Sequence, residues 1–311
     1  MLTTIRRLED VSHVRGEYRA GGTDLNERRR SGIARGALVD AMALDGFDRI
    51  EWDEHGAARL GALVRIAAIA QEPRLRQSYP GLAQAAGCLA TPQIRAVGTL
   101  GGSLAQRTRC SYFRHPLFNC YKNGGNSCPA REGYHQYGVV FDLGPCVFPH
   151  PSTLGLALMT YDGRVEVNGR DERPVAELFG NGSDPHHDHQ LAEGELITRL
   201  VLPPPLTGER AAYFRSISRS RSEWPLVECL VRLGVDGGVI RFARVGVGGV
   251  ANIPLRLPLV EAALTGQPPA SVTFERAASL ATNGAKPLPM TSYKVPLLRD
   301  TLLETLERAI A

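Results

Sequence analysis

Four cysteines lie close together in one irregular stretch of the sequence, at Cys110, Cys120, Cys128 and Cys146. The stretch is rich in Gly, Arg and Tyr, and it has neither a helical nor a strand period. Loops of this length are uncommon in a compact domain unless something organises them. Four thiols can bind metal, perform redox chemistry or pair as disulfides. We therefore expect an organising centre in a loop that spans about residues 105 to 148.

The spacing of these thiols is C-x9-C-x7-C-x17-C, and it favours some kinds of centre over others. Zinc sites more typically use close cysteine pairs, so the wide spacing disfavours zinc. Disulfides are rare in a reducing cytoplasm. Iron–sulfur clusters accept thiolates from well-separated points of a wrapping loop. The basic residues beside the cysteines either stabilise a negatively charged cluster or form an ordinary solvated surface; they are Arg107, Arg109, Arg114, Lys122 and Arg131.

Two glycine turns form a second candidate site, in the segments Ala20-Gly-Gly-Thr-Asp-Leu25 and Thr99-Leu-Gly-Gly-Ser-Leu104. Glycine lacks Cβ, so consecutive backbone N–H groups can approach a phosphate closely. Two such loops can hold the two phosphates of a dinucleotide, although each glycine pair can also be a simple turn. Neither segment matches Gly-x-Gly-x-x-Gly or the Lys-Ser/Thr ending of a P-loop, which disfavours a Rossmann or P-loop fold. These residues alone do not distinguish flavin from nicotinamide.

The strands and helices that must position these residues are predicted from hydrophobic periodicity and from the positions of Gly and Pro. The pattern predicts a strand, glycine turn, helix and strand over residues 16–48. A proline-rich linker at 203–208 separates a first domain, 1–203, from a second domain, 209–311. Further strands are predicted at 58–63, 194–202 and 239–250, and further helices at 64–71, 80–90, 257–264 and 301–310. Residues 154–161 and 165–167 are predicted to be regular structure of unspecified type. The mixture indicates an α+β protein.

Composition excludes several function classes. The chain is 43% hydrophobic and 22% charged, as in ordinary soluble globular proteins. Its net charge of +4 is scattered and aromatics are only 6%, so nucleic-acid binding is not indicated. No apolar run is long enough to span a membrane, and residues 1–7 lack the apolar core of a secretory signal. We expect the protein in the cytoplasm, or in the periplasm by export together with a signal-bearing partner.

For three further groups of residues, the sequence predicts burial or solvent exposure and no binding role. Arg28 to Arg30 are predicted to form a solvated helix face. Cys88 and Cys229 are predicted to be small buried residues. The segment from His186 to His189 is predicted to be solvent-exposed.

Several sequence segments together resemble the FAD-binding (medium) subunit of the xanthine dehydrogenase family of molybdenum hydroxylases. They are the two glycine turns, Gln93-Ile-Arg-Ala-Val-Gly98 before the second turn, Gly194-Glu-Leu-Ile-Thr198, Val245-Gly-Val-Gly-Gly-Val-Ala251 and Tyr293-Lys-Val295. They occur in family order over nearly the whole chain. The resemblance implies a two-subdomain FAD-binding fold of the PCMH type, followed by a C-terminal domain of antiparallel sheet and helices.

The resemblance also implies which residues bind FAD. The two loops would wrap the pyrophosphate, Ile197 would meet the flavin or adenine side, and Lys294 would lie near the flavin end. Thr153 stands where the family commonly has an acid that helps to fix FAD. The implied cofactor-binding residues are Glu17, Tyr18, Arg19, Ala20, Gly21, Gly22, Thr23, Asp24, Leu25, Thr99, Gly101, Gly102, Ser103, Thr153, Ile197 and Lys294.

The block from Gln106 to Phe113, with the later cysteines, is similar to the flavin subunits of periplasmic-type aldehyde oxidoreductases. That branch implies a [4Fe-4S] cluster bound by Cys110, Cys120, Cys128 and Cys146. The expected function is then electron transfer in a heterotrimer that oxidises an aldehyde or N-heterocycle. A large molybdenum-cofactor subunit and a small subunit with two [2Fe-2S] clusters would be the partners, an external acceptor such as a quinone, ferredoxin or dioxygen would receive the electrons, and no catalytic acid or base is assigned here.

Two alternatives stay open. The chain can be a stand-alone FAD-dependent oxidoreductase with its own substrate pocket, or a zinc-stabilised, non-enzymatic scaffold.

Overall fold

The computed structural model describes residues 2–169 and 171–311, and this part of the chain contains three β-sheets. The first sheet is parallel, with the strand order β1-β3-β2. Its strands are β1 (Leu2–Thr4), β2 (Glu17–Arg19) and β3 (Leu38–Asp40). The first glycine turn leads from β2 into helix α1 (Leu25–Arg30), so this unit has the predicted strand, turn, helix and strand.

The second sheet is antiparallel and has the order β4-β5-β8-β6-β7. Its strands are β4 (Ile50–Trp52), β5 (Ala58–Gly61), β6 (Arg164–Val167), β7 (Asp171–Pro174) and β8 (Ile197–Leu202). Proline begins four of the accompanying helices, where its missing N–H costs nothing. The helices in this part of the chain are α2 (Ile66–Gln71), α3 (Pro73–Ser78), α4 (Pro80–Cys88), α5 (Pro92–Val97), α6 (Leu100–Leu104), α7 (Pro129–Glu132), α8 (Thr153–Thr160) and α9 (Val175–Phe179).

The third sheet is antiparallel, with the order β12-β11-β10-β9. Its strands are β9 (Glu209–Ser216), β10 (Val227–Asp236), β11 (Val239–Gly248) and β12 (Leu255–Arg256). Helices α10 (Pro258–Leu264) and α12 (Lys294–Ile310) pack against it, and α11 (Ser271–Ser279) packs against these two helices. On α12 the spacing of Leu298, Leu302 and Leu306 places one apolar stripe in the core of this part.

The residues between α6 and α8 form the loop that carries the four cysteines, and we call residues 105–148 the cysteine loop. A short 3-10 helix (Tyr121–Asn123) and α7 are its regular elements. It has a small core of its own, formed by Cys110, Phe113, Cys120, Ala130, Val139 and Val147. The cysteine loop is therefore an ordered insertion between two helices of the second unit.

The structure confirms the predicted α+β class and corrects four details. The second glycine turn is helix α6, with Thr99 as its N-cap, although we keep the name glycine loop for it. Arg28 is buried, whereas a solvated helix face was expected. Cys88 is exposed, because it is the last residue of α4 and lies off the apolar side of that helix. Asp188 is buried within a segment that was expected to be exposed, while Cys229 is buried as expected. In the described part of the chain, no helix is long and apolar enough to cross a membrane.

Candidate functional site

A cavity of about 570 Å³ lies between the two glycine loops. Its volume is in the range of sites that hold a cofactor-sized molecule. Both predicted loops contribute to its wall, through Glu17 to Leu25 and through Thr99, Gly101, Gly102 and Ser103. Thr153 and Ile197 also line it. The fold thus brings together, around one cavity, fifteen of the sixteen residues that the resemblance assigns to FAD, all except Lys294.

The glycines in these loops are required by packing of the protein on itself. A Cβ on Gly21 would overlap the carbonyl oxygen of Val97, because the first loop lies directly against the segment before the second. A Cβ on Gly101 would come 2.8 Å from the Ala62 side chain, closer than real Cβ contacts allow. The first loop can therefore lie against Val97, and the second against Ala62, only because these positions are glycine.

Asp24, at the end of the first glycine turn, is the centre of a buried ion-pair cluster. Its carboxylate contacts Arg28 Nε at 3.0 Å, Arg114 Nη2 at 2.6 Å and Arg109 Nη1 at 3.3 Å. It also accepts the backbone N–H of Arg107 at 3.2 Å. Burial raises the pKa of Asp24, but the charges of the arginines outweigh this and hold it below its usual value. Two of these arginines, Arg109 and Arg114, belong to the cysteine loop.

A second buried carboxylate, Asp188, ties the cysteine loop from another side. Lys122 Nζ lies 3.0 Å from Asp188 Oδ1, and Arg107 Nε donates to Oδ2 at 2.6 Å. Thr108 donates its backbone N–H to Oδ2 at 3.2 Å. Burial raises the pKa of Asp188, while Lys122 and Arg107 bring it far below its usual value. The basic residues that were expected beside a cluster or in solvent are thus already paired with carboxylates; the fifth, Arg131, pairs with Asp142.

Arg109, His189 and Trp224 are cavity residues that the sequence analysis did not assign to it. The guanidinium of Arg109 lies over the Trp224 ring, 4.7 Å from its centroid. Arg109 Nε and His189 Nδ1 are buried without a hydrogen-bond partner in the described part of the chain. Burial lowers the pKa of His189 to about 4, so its ring is neutral near pH 7. These unused polar atoms and the glycine-lined wall fit a bound polar, anionic cofactor such as FAD.

Lys294 does not line the cavity. Its ammonium is buried and donates to the carbonyls of Tyr137, Gly138 and Gly249, at 3.2, 2.9 and 2.8 Å. Burial lowers its pKa to about 7. All three ammonium hydrogens are used within the protein, so Lys294 ties the cysteine loop to the end of β11 and does not reach the cavity contact that the resemblance implies.

Thr153 uses its hydroxyl inside the protein. Its Oγ1 donates to Glu228 Oε2 at 2.8 Å, and Tyr213 donates to the same oxygen at 2.6 Å. Burial raises the pKa of Glu228. A carboxyl group therefore lies beside position 153 even though the residue at that position is threonine.

Three of the four cysteines, Cys110, Cys120 and Cys128, lie at the core of the cysteine loop, and Cys146 directly precedes its core residue Val147. Cys110, Cys120 and Cys146 are buried and Cys128 is half-buried. Burial raises the pKa of Cys110 to about 11 and that of Cys146 to about 12, and it also raises the pKa of Cys120. Repulsion from Cys128 adds to all three increases, so Cys128 is a common neighbour.

Backbone N–H groups near three of these cysteines favour the thiolate and lower the pKa. Tyr112 and Phe113 act in this way on Cys110, and Lys122 and Asn123 act on Cys120. Phe148 acts on Cys146. Among the residues that the structure describes, no group of three His, Cys, Asp or Glu side chains is close enough to hold a single metal ion.

Comparisons with known proteins agree with this geometry. Residues 5–205 match the family described as the FAD binding domain in molybdopterin dehydrogenase, and residues 212–309 match the CO dehydrogenase flavoprotein C-terminal domain. The chain is 34% identical over 303 residues to the aldehyde oxidoreductase FAD-binding subunit PaoB of Escherichia coli (strain K12), covering 95% of this chain and 92% of that protein. It is 26% identical over 298 residues to the 6-hydroxypseudooxynicotine dehydrogenase complex subunit alpha of Paenarthrobacter nicotinovorans, covering 94% and 86%.

Solved structures show the same fold over the full length of the chain. A chain of quinoline 2-oxidoreductase from Pseudomonas putida 86 superposes with a TM-score of 0.77 at 19% identity, covering 99% of this chain and 95% of that one. A chain of carbon monoxide dehydrogenase from Hydrogenophaga pseudoflava also gives 0.77 at 19% identity, covering 99% and 96%.

Proposed function

Because this chain belongs to the family of FAD-binding subunits of molybdopterin-dependent dehydrogenases, we propose that it carries electrons within a heterotrimeric molybdenum hydroxylase. In this proposal the cavity between the glycine loops holds FAD, which supplies the redox chemistry when it is bound. The observation that carries the proposal is the convergence of both glycine loops, Thr153 and Ile197 on one cavity of about 570 Å³.

The residues of this chain would bind and orient the cofactor. The two glycine loops provide a wall in which backbone groups can approach a pyrophosphate closely. Arg109 Nε and His189 Nδ1 are the unused polar atoms at this wall. Trp224, from the C-terminal part of the chain, restricts access from its side of the cavity. None of these groups is assigned a proton transfer in substrate oxidation.

The relatives support the partners that we propose. Several of them are named as subunits of larger enzymes, among them the nicotine 6-hydroxylase medium subunit of Paenarthrobacter nicotinovorans. We assign to this chain a large molybdenum-cofactor subunit that oxidises an aldehyde or N-heterocycle, and a small subunit with two [2Fe-2S] clusters. Electrons would enter this chain from the partner's clusters and leave to an external acceptor. The identity to an aldehyde oxidoreductase subunit favours an aldehyde.

We also propose that the cysteine loop holds a [4Fe-4S] cluster through Cys110, Cys120, Cys128 and Cys146. Three observations support it: Cys110, Cys120 and Cys128 meet at one small core, the charge of Cys128 raises the pKa of the other three thiols, and nearby backbone N–H groups lower it. Hydrogen bonds to sulfur are a common feature of such clusters. A cluster distributes its ligands over four iron atoms, so it needs no arrangement that would fit a single ion. The high thiol pKa values mean that metal binding must displace protons.

The test is to purify the chain anaerobically, co-expressed with its genomic neighbours, and to assay flavin, iron and acid-labile sulfide on the same sample. We expect about one FAD per chain, and roughly four iron and four sulfide beyond those of the partner clusters. Cys128→Ser should lose this extra iron. The matched control Cys88→Ser changes an exposed cysteine outside the loop and should retain it.

Each other outcome has a definite meaning. Flavin without the extra iron contradicts the cluster and leaves the electron-transfer role of the flavin. A subunit that binds FAD and turns over a small substrate without partners supports the stand-alone oxidoreductase. A colourless protein that contains zinc contradicts the whole proposal.

A further inference from the structure

The Asp24 carboxylate joins two segments that are distant in the sequence. On one side lies the first glycine turn, whose residues line the cavity. On the other side lies Arg114 of the cysteine loop, 90 residues away, whose Nη2 donates to Asp24 Oδ1 at 2.6 Å. The same guanidinium donates to the carbonyls of Arg107 and Thr108, both at 2.8 Å. Arg114 therefore fixes the start of the cysteine loop and the end of the glycine turn to each other.

The centre of the cluster around Asp24 is buried, and the whole cluster is balanced in charge. The side chains of Asp24, Arg28 and Arg114 are 11%, 7% and 10% exposed. Three acids face three arginines, and these are Glu17, Asp24, Glu27, Arg28, Arg109 and Arg114. Removing one partner of a buried pair leaves an uncompensated charge, which is strongly destabilising. The cluster can thus form only when the glycine turn and the cysteine loop are both in place.

Both sides of this contact reach the cavity. Arg107 and Arg109 of the cysteine loop line its wall, as does Asp24 itself. Arg109 immediately precedes Cys110, one of the four cysteines of that loop. A change in the order of the cysteine loop must therefore move part of the cavity wall, and a ligand in the cavity must restrict the loop.

We propose that Asp24 and Arg114 form a joint through which cavity occupancy and the order of the cysteine loop stabilise each other. The proposal rests on the proposed function only in taking FAD as the ligand. Coupling between two sites is reciprocal, so loss of the joint must weaken both FAD binding and the protection of the loop by FAD. Arg114 is a positioning residue in this account, since it acts on the cavity through Asp24.

The experiment uses the full chain, freed of flavin, and compares Arg114→Met, Asp24→Asn and the double variant with the unchanged protein. Arg256→Met is the matched control, because Arg256 also pairs with a buried carboxylate, Glu261, but lies away from the cavity. Flavin fluorescence measures the Kd for FAD. Hydrogen exchange with and without FAD measures the protection of residues 107–146.

We expect Kd to rise at least about tenfold in Arg114→Met and Asp24→Asn, which is about 1.4 kcal/mol. FAD should protect residues 107–146 in the unchanged chain and in Arg256→Met, and this protection should be lost in the two joint variants. The double variant should be no worse than the poorer single one, because both remove the same contact. Arg114→Lys, which keeps the charge, should recover part of the affinity.

Equal Kd and equal loop protection in all folded variants would overturn the joint. If the unchanged chain itself takes up no FAD, the proposed function fails, and the joint is judged in the ligand-free chain. In that chain, Arg114→Met must speed hydrogen exchange at residues 17–30, which lie on the Asp24 side of the joint, more than Arg256→Met does. Similar exchange in these two variants would overturn the joint independently of the flavin.

Discussion

The glycine loops and the cysteine loop both lack long regular elements, yet they are held in place by different forces. The glycine loops are short, and their backbone packs directly on neighbouring backbone and small side chains, as at Gly21 against Val97. The cysteine loop is long, and buried ion pairs with Asp24 and Asp188 fasten it to the rest of the chain. Shape complementarity fixes the first region, whereas charge pairing fixes the second.

This difference predicts different sensitivities. A backbone contact fails when any atom is added, whatever its charge, because protein interiors have no spare volume. An ion pair tolerates small changes in shape but fails when one charge is removed or neutralised. Substitutions in the two regions should therefore separate into effects that depend on size and effects that depend on charge and pH.

The largest effect is expected from Gly21→Val. Its Cβ would overlap the Val97 carbonyl, so the first glycine loop must move away from the second. Flavin content should fall to near zero, because the cavity wall is displaced, and overpacking should also lower the unfolding free energy. The control Gly87→Ala adds a Cβ to an exposed position of α4, 3.8 Å from its nearest neighbour, and should be neutral or slightly stabilising. Normal flavin content in Gly21→Val would show that loop packing does not shape the cavity.

The next largest effect is expected from Asp188→Asn, which leaves Lys122 and Arg107 without their carboxylate. Breaking a buried pair costs about 3–5 kcal/mol, and urea unfolding of the two proteins at pH 7 measures it. The folded pKa of Asp188 lies below its unfolded value, so its contribution is present above the unfolded value and is lost as pH falls through the folded pKa. The difference between the two proteins should be constant from pH 7 to about pH 5 and shrink in stronger acid.

A matched control is Asp142→Asn, which removes a more exposed partner of Arg131 within the loop. Its cost should be below about 1 kcal/mol, as for surface pairs. If both variants lose the same stability, burial of Asp188 is not what fastens the loop.

The sequence predicts those features of the fold that neighbouring residues specify, and it misses those that depend on distant contacts. The strand, turn and helix around Gly21 and Gly22 follow from adjacent residues, and the structure has them. The burial of Arg28 depends on Arg114, Glu17 and Asp24 meeting in space, and a run of three arginines gives no sign of it. The prediction for Cys88 fails in the opposite direction. An apolar helix predicts that Cys88 is buried, but the residue lies in the last turn of the helix and is exposed.

The same limit applies to the site. Asp188 and Trp224 reach the cavity region from segments whose local composition indicates ordinary loops. Their roles come from contacts across the fold, so no local pattern predicts them. The resemblance of Tyr293-Lys-Val295 to the family predicts Lys294 at the cavity. A sequence resemblance does not specify the direction in which the side chain points.

A smaller effect is expected from Lys294→Met, which tests the charge-based attachment of the other end of the cysteine loop. The substitution leaves three buried carbonyls without their donor, and after relaxation and water entry the net cost should be about 1–3 kcal/mol. Thermal unfolding should show the loss, while the Kd for FAD in the folded protein should change less than about threefold, since Lys294 does not line the cavity. A large loss of FAD affinity with unchanged stability would instead place Lys294 at the flavin.

The smallest effect is expected from Thr153→Val, which keeps the shape of the side chain and removes the hydroxyl. Glu228 then loses one of its two donors and keeps Tyr213, so the cost should be about 1 kcal/mol, as for a single hydrogen bond. Because the hydroxyl favours the charged form of a carboxyl whose pKa burial has raised, the loss should be greater at pH 7 than in acid, where Glu228 is protonated in both proteins. Thr153→Ser keeps the donor and should retain most of the stability. If Thr153→Val weakens FAD binding tenfold and leaves unfolding unchanged, the hydroxyl serves the cofactor, and position 153 belongs with the glycine loops as a direct cavity contact.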